Sequence, residues 1–147
     1  MKVNEVPQDE AFLVEGRIRD LCYVLDDKGN YVQALSKGWT PKNEAMQFAW
    51  DNIYKNARLN REKIISGELS PIAFYMVLNT MDADILASYT GFSRRKVKRH
   101  LKMKVFKKLD AGIISVYSEL FGIKPDQLTD VEFLKKVNLD DKTEVST

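Results

Sequence analysis

The feature that most constrains the fold is the stretch YTGFSRRKVKRHLK, residues 89–102, which turns at a glycine between two segments of helical pattern. Asp82 is a favourable N-cap for the segment DADILASY that precedes the glycine. Gly91 lies where that first helix has to end, and glycine adopts the left-handed conformation of a helix end at little cost. Ser93 is a favourable N-cap for the segment that follows. The spacing therefore predicts two short helices joined by a three-residue turn, the second over residues 93–102.

Apolar and small side chains around this turn have the spacing needed to hold two crossing helices together. A small residue at Ala87 allows a second helix to approach closely, and Val97 and Leu101 share one helix face because they are four residues apart. We expect the structural residues of the helix pair to be Leu86, Ala87, Gly91, Phe92, Val97 and Leu101.

The same part of the chain concentrates positive charge. Nine Lys or Arg residues and no acidic residue occur from Ile85 to Leu109. The net charge of the whole chain is only +2, and the rest of the chain has 14 basic against 21 acidic residues, a net charge of −7. A chain that is nearly neutral as a whole but strongly basic in one segment is typical of a local site for a polyanion.

The segment LASYTGFSRRKVKRHLK resembles the helix-turn-helix pattern of bacterial DNA-binding regulators. The following GIISVYSELFGIKPDQL is similar to the fourth and fifth helices of the phage-repressor, or lambda-repressor-like, family, so the resemblance covers about residues 70–128. It implies that helix 93–102 enters the major groove of DNA and that basic residues 94–108 contact phosphates. The DNA-binding residues that it implies are Ser93, Arg94, Arg95, Lys96, Lys98, Arg99, Lys102, Lys104, Lys107 and Lys108.

Two departures from this pattern are visible. Ala83 stands where the family often has a glutamine that contacts phosphate. The ending VKRHLK also resembles winged-helix regulators, but no β-hairpin pattern follows it, so we favour the all-helical form.

The predicted fold is mainly α, with a C-terminal helix-turn-helix bundle of four to five short helices preceded by a β-hairpin and one long helix. Two β-prone runs, at about 19–25 and 31–36, flank a glycine-containing loop, as expected for a hairpin. Thr40 and Pro41 form a cap-then-proline signal for a helix over about 41–66 that ends at Gly67. A capping box of Thr129 with Glu132 predicts a last helix to about 137.

These elements predict four regions of the chain. We expect a flexible N-terminus over 1–16, a hairpin-and-helix module over 17–67, a helix-turn-helix domain over 70–137 and a disordered tail over 138–147. The N-terminal module matches no family that we can name, and dimerisation, partner binding or ligand sensing are its candidate roles.

Several classes of function are disfavoured by composition. The chain has one cysteine, Cys22, and one histidine, His100, so we expect no internal disulfide and no zinc site of N/S type within a monomer. We see no signal peptide and no run of 18 apolar residues, which predicts a cytoplasmic protein without a membrane span. The sequence has no glycine-rich phosphate loop and no nucleophile motif, so we expect neither an enzyme nor a bound cofactor or metal.

The leading hypothesis is a transcriptional regulator that binds double-stranded DNA, with a homodimer formed through the N-terminal module as a further expectation. One alternative is a non-catalytic protein-interaction or adaptor module, antitoxin-like, that uses the same basic face. RNA binding is the other alternative. Phe106 is the one aromatic residue within the basic stretch after the turn, which argues against stacking on single-stranded bases.

Overall fold

The computed structural model describes residues 1–9 and 19–139. As expected, the described chain is mainly helical, with a two-stranded hairpin, a long helix and a series of short helices in that order. It divides into two compact units, Met1–Asp51 and Asn52–Thr147. The boundary lies inside the long helix, not at the joint near Gly67 where the sequence pattern separates the two modules.

The hairpin of the first unit consists of β1 (Asp20–Leu25) and β2 (Tyr31–Ser36). The strands are antiparallel, and their register pairs Asp20 with Ser36 and Leu25 with Tyr31. Asp26 stabilises the connecting turn because its carboxylate accepts hydrogen bonds from the backbone amides of Lys28 and Asn30, each at 2.8 Å. The hydrogen bond from the Asn30 amide, the largest influence, lowers the pKa of Asp26.

Residues 1–9, part of the N-terminus that we expected to be flexible over 1–16, pack along the hairpin. The Met1 carbonyl accepts a hydrogen bond from the Leu25 amide at 3.0 Å. The Ser36 hydroxyl, buried at 2% exposure, donates to the Pro7 carbonyl at 2.6 Å. These partners are distant in sequence, so the local pattern carries no sign of them. The remaining part of that predicted region, residues 10–16, lies outside the described residues.

The long helix α1 spans Thr40–Ile65. Thr40, which we expected to be the N-cap, is the first helical residue, and its own amide donates to the Asp9 carboxylate at 2.8 Å. The helix ends as expected at a glycine, since Gly67 has a φ of 81°. Residues 52–65 of α1 belong to the second unit and are connected to the rest of it by hydrogen bonds from Asn60 to the Ala73 carbonyl and from Arg61 to the Val137 carbonyl.

Seven short helices follow in the described part of the second unit, two more than the upper number expected. They are α2 (Ile72–Leu78), α3 (Ala83–Thr90), α4 (Arg94–His100), α5 (Met103–Phe106), α6 (Ala111–Phe121), α7 (Pro125–Thr129) and α8 (Val131–Lys136). The core side chains between them include Ile72, Phe74, Leu86, Val97, Tyr117, Leu128 and Leu134, all 0% exposed. Helix α6 lies at the centre of this core, because α2, α3 and α7 all pack against it.

The predicted capping box before α8 is wrong in its residues. Thr129 belongs to the last turn of α7, and its hydroxyl donates back to the Pro125 carbonyl at 3.1 Å. Asp130 is the N-cap of α8 and accepts from the Glu132 amide at 2.9 Å. Aspartate caps helices as well as threonine does, so the neighbouring residue takes the role.

The predicted tail over 138–147 is described only at its start. Leu139 is buried at 3% exposure and therefore belongs to the packed unit. Residues 140–147 lie outside the described residues. In the two described ranges, no helix combines the length and the apolar character that crossing a membrane requires.

Candidate nucleic-acid interface

The turn between α3 and α4 has the geometry that the sequence predicts. Asp82 caps α3 by accepting from the amides of Asp84 and Ile85, at 2.9 and 2.8 Å. Gly91 ends the helix with a φ of 72°, in the left-handed region. Ser93 then caps α4 by accepting from the Lys96 amide at 3.3 Å. Local capping therefore sets both ends of the turn.

The predicted structural side chains divide into fully and partly buried groups. Leu86 and Val97 are 0% exposed and lie in the core where α3 packs on α4. Ala87, Phe92 and Leu101 are half-buried. The Phe92 ring lies beside Tyr117 of α6, with 5.7 Å between ring centroids, so the turn itself contacts the central helix.

The basic residues of α4 occupy one face of the helix. Val97 and His100 face the core, with exposures of 0% and 4%. At about 100° per residue, four other positions fall within an arc of about 140° on the opposite side. These positions are Arg94, Arg95, Lys98 and Arg99, all of them exposed. We call this set the α4 basic face.

Two of the predicted contact residues already have partners within the protein. The Arg94 side chain forms an ion pair with Asp84, at 2.7 Å from Nε to Oδ1. The Lys96 ammonium lies over the Phe92 ring at 4.4 Å from its centroid, a cation–π contact. In the described ranges, no carboxylate lies within ion-pair distance of Arg95, Lys98 or Arg99. Among the cations of α4, Arg95, Lys98 and Arg99 are therefore the most available to an external anion.

The helix predicted over 93–102 is shorter in the structure, because α4 ends at His100. Ser70 causes this break: its hydroxyl donates to the His100 carbonyl and its amide to the Leu101 carbonyl, both at 2.8 Å. Lys102 then takes an extended conformation with a ψ of 130°. The chain restarts as α5, and the four later lysines, which are exposed, follow this break: Lys102, Lys104, Lys107 and Lys108. The predicted DNA-binding residues thus lie on two elements, not on one continuous helix.

A buried hydrogen bond connects the end of α4 to α6. His100 Nδ1 lies 2.8 Å from the Tyr117 hydroxyl, and both side chains are almost fully buried. A neutral imidazole with its proton on Nε2 accepts this bond from the hydroxyl. Burial, followed by the charges of Lys96 and Arg99, lowers the pKa of His100. Burial raises the pKa of Tyr117, so the phenol stays protonated.

The free energy of unfolding is expected to fall as the pH is lowered from about 7 to about 5.5. Because the pKa of His100 is depressed in the folded state, the unfolded chain takes up this proton first, below its ordinary pKa of about 6.5. Stability is therefore fully present above that pH and is lost as the pH falls. Urea unfolding at a series of pH values measures the effect.

The control for this experiment is His100→Gln. The chain contains one histidine, so the variant should have a much flatter dependence on pH in this window. An unchanged slope in the variant would show that other groups are responsible.

The site predicted from the sequence does not include two side chains that are exposed on α3. Tyr89 is 69% exposed, and Ile85 is 40% exposed. They are four residues apart, so they share one face of α3. The sequence shows that the two residues share a helix face. Apolar residues with this spacing are usually buried, so the sequence did not indicate that they are exposed.

No β-hairpin occurs within the described residues 52–139, so the wing of a winged-helix regulator is absent from that range. Comparisons of the chain with protein-family models, with curated proteins and with solved structures found no match. The case for a function therefore depends on the geometry of the site itself.

Proposed function

We propose that the protein is a non-catalytic DNA-binding protein, a transcriptional regulator of the cytoplasm, that inserts α4 into the major groove. The observation that carries the proposal is the α4 basic face, which lies opposite the buried Val97 and His100. The major groove of B-DNA admits one α-helix, and side chains on the outer face of that helix contact base edges and phosphates.

The side chains of the basic face differ in what they can contribute. Arg95 and Arg99 can each make a bidentate contact with guanine, whereas Lys98 suits a phosphate. Arg94 is held by Asp84, and Ser93 is used as an N-cap, so both support the position of α4. The exposed lysines after the break, from Lys102 to Lys108, fit flanking phosphates, and their number favours strong backbone affinity over base selectivity.

Duplex binding should weaken steeply as salt is raised, because each phosphate contact releases counterions. In the double variant Lys98→Ala plus Arg99→Ala, the slope of log K against log salt should become shallower by at least about 1, because the phosphate contact assigned to Lys98 is lost. Fluorescence anisotropy with a labelled random-sequence duplex measures this slope.

The matched control replaces two exposed lysines of α1, Lys55→Ala plus Lys63→Ala, which removes the same charge from a helix other than α4. This control should keep the slope of the unmodified protein. No duplex binding at low salt, or an equal change of slope in both double variants, would contradict the proposal. Preference for duplex RNA in competition would favour the RNA-binding alternative, and a stoichiometric protein partner without DNA binding would favour the adaptor.

We also propose that the hairpin forms a homodimer contact. One face of the two strands has four exposed apolar side chains: Leu21, Tyr23, Tyr31 and Leu35. A dimer that binds DNA should place its two α4 helices about 34 Å apart, one turn of the duplex. Sedimentation equilibrium tests this contact, and a monomer at concentrations well above those of the DNA assay would exclude it.

A further inference from the structure

The second unit contains an open cavity on the side formed by α2, the end of α6 and α8. Its volume is about 340 Å³, within the range of small-molecule sites and about twice that of a 150 Å³ cavity that binds benzene. This volume suits one aromatic ring with a short side chain. The cavity lies apart from the α4 basic face, whose residues do not line it.

Aromatic side chains form the walls of the cavity. The Tyr75 and Phe121 rings are stacked at 5.7 Å between centroids, and Phe74 meets Tyr75 edge-on at 5.4 Å. All three residues are buried, with exposures of 8% or less. Their positions are therefore fixed by the core, and an apolar ligand would meet walls that need little rearrangement.

One polar atom near these walls, the Tyr75 hydroxyl, has no hydrogen-bond partner within residues 1–9 and 19–139. The hydroxyl of Tyr75, a residue that lines the cavity and is 6% exposed, is buried with no hydrogen-bond partner among the described residues. Burial, followed by the charge of Asp130, raises the pKa of Tyr75 to about 12, so the hydroxyl keeps its proton. Buried polar groups normally have a hydrogen-bond partner, so the Tyr75 hydroxyl is an unused hydrogen-bonding group beside the cavity.

The lining of the cavity contains one positively charged side chain and none that is negatively charged. Lys136 lines it, and no described carboxylate lies within ion-pair distance of that ammonium group. Gln127 also lines it: its Oε1 accepts from the Lys124 amide, which leaves its Nε2 as a donor. The lining contains no Asp or Glu.

We infer that this cavity binds a small aromatic carboxylate. The ring of the ligand lies against Phe121 and Phe133, and its carboxylate pairs with Lys136 and Gln127. This site is independent of DNA binding. A ligand of about ten non-hydrogen atoms should bind with a dissociation constant on the order of 0.1–1 mM.

Titration of the ¹⁵N-labelled full chain with phenylacetate, followed by amide NMR shifts, tests the inference. Saturable shifts are expected at lining residues, and the neutral analogue 2-phenylethanol should bind at least about fivefold more weakly. Lys136→Gln should remove this difference. Its control is Lys135→Gln: Lys135 pairs with Glu132 at 2.5 Å and does not line the cavity.

A second variant replaces Leu78, which also lines the cavity. Leu78→Trp should fill the cavity and abolish binding of both compounds, and the amide spectrum reports whether the fold is intact. No saturable shifts up to about 10 mM phenylacetate would overturn the inference. So would equal affinity for the two compounds, or an equal loss in Lys135→Gln and Lys136→Gln. The comparison of the two compounds and the comparison of the two lysine variants do not require Leu78→Trp. They therefore test the inference even if Leu78→Trp does not fold.

Discussion

Reversing the charge at Arg95 and Arg99 is expected to reduce the affinity for duplex DNA by at least about 100-fold at moderate salt. Both side chains are exposed on the α4 basic face, and no described carboxylate pairs with either. Each Arg→Glu replacement removes a cation from the proposed groove contact and introduces an anion beside phosphates. Fluorescence anisotropy with a labelled duplex, at one fixed salt concentration, measures the loss.

The control for charge reversal is Lys55→Glu plus Lys63→Glu on α1, which changes the net charge of the protein by the same amount. Because neither lysine belongs to the α4 basic face, and charges that do not contact phosphates directly are screened by salt, the control should lose less than about threefold. Circular dichroism should show both variants folded, since all four positions are exposed. Similar losses in the two variants would mean that net charge alone, and not the α4 face, attracts DNA.

Tyr117→Ala is expected to lower the free energy of unfolding by about 4 kcal/mol. Tyr117 is 0% exposed at the centre of the second unit, and its ring lies 5.7 Å from Phe92 and 6.3 Å from Phe121 between centroids. Truncation therefore leaves a large cavity in the core. It also leaves the buried His100 Nδ1 without its partner, which adds to the cost. Urea unfolding followed by circular dichroism measures the change.

Two further variants separate the contributions of Tyr117. Tyr117→Phe keeps the ring and removes only the hydroxyl, so it should cost about 1–2 kcal/mol, and this milder variant remains measurable if the alanine variant does not fold. Tyr89→Ala removes a tyrosine that is 69% exposed and should change stability by less than about 0.5 kcal/mol. Equal effects at Tyr117 and Tyr89 would contradict the central position assigned to Tyr117.

The parts of the fold that were predicted correctly depend on contacts between residues close in sequence. Asp82 and Ser93 cap helices whose amides lie two or three residues away, and Gly91 supplies the left-handed residue of the turn. The hairpin strands were predicted to within one residue because their turn is closed by Asp26 and Asn30, within the loop itself. Interactions over so few residues can be predicted from the local sequence pattern.

The residues predicted for the candidate site are exposed as expected, but they do not lie on one continuous helix. All ten predicted DNA-binding residues are exposed, yet the single helix expected for them is divided at Leu101 and Lys102. The division depends on Ser70, which is 30 residues from the carbonyl of His100 to which it donates. Nothing in the sequence around α4 indicates that partner, so the apolar periodicity alone predicts a helix that continues to residue 102.

By itself, the sequence determined where positive charge is concentrated, where α3 ends at Gly91 and where α4 begins after Ser93, because charge and capping act over a few residues. Only the tertiary structure decided which charges are available, since the pairs Arg94–Asp84 and Lys96–Phe92 form across the turn. It also decided that His100 is buried against Tyr117, 17 residues away. The contact between His100 and Tyr117 depends on which distant side chains meet in the core, and packing of the whole unit selects those neighbours.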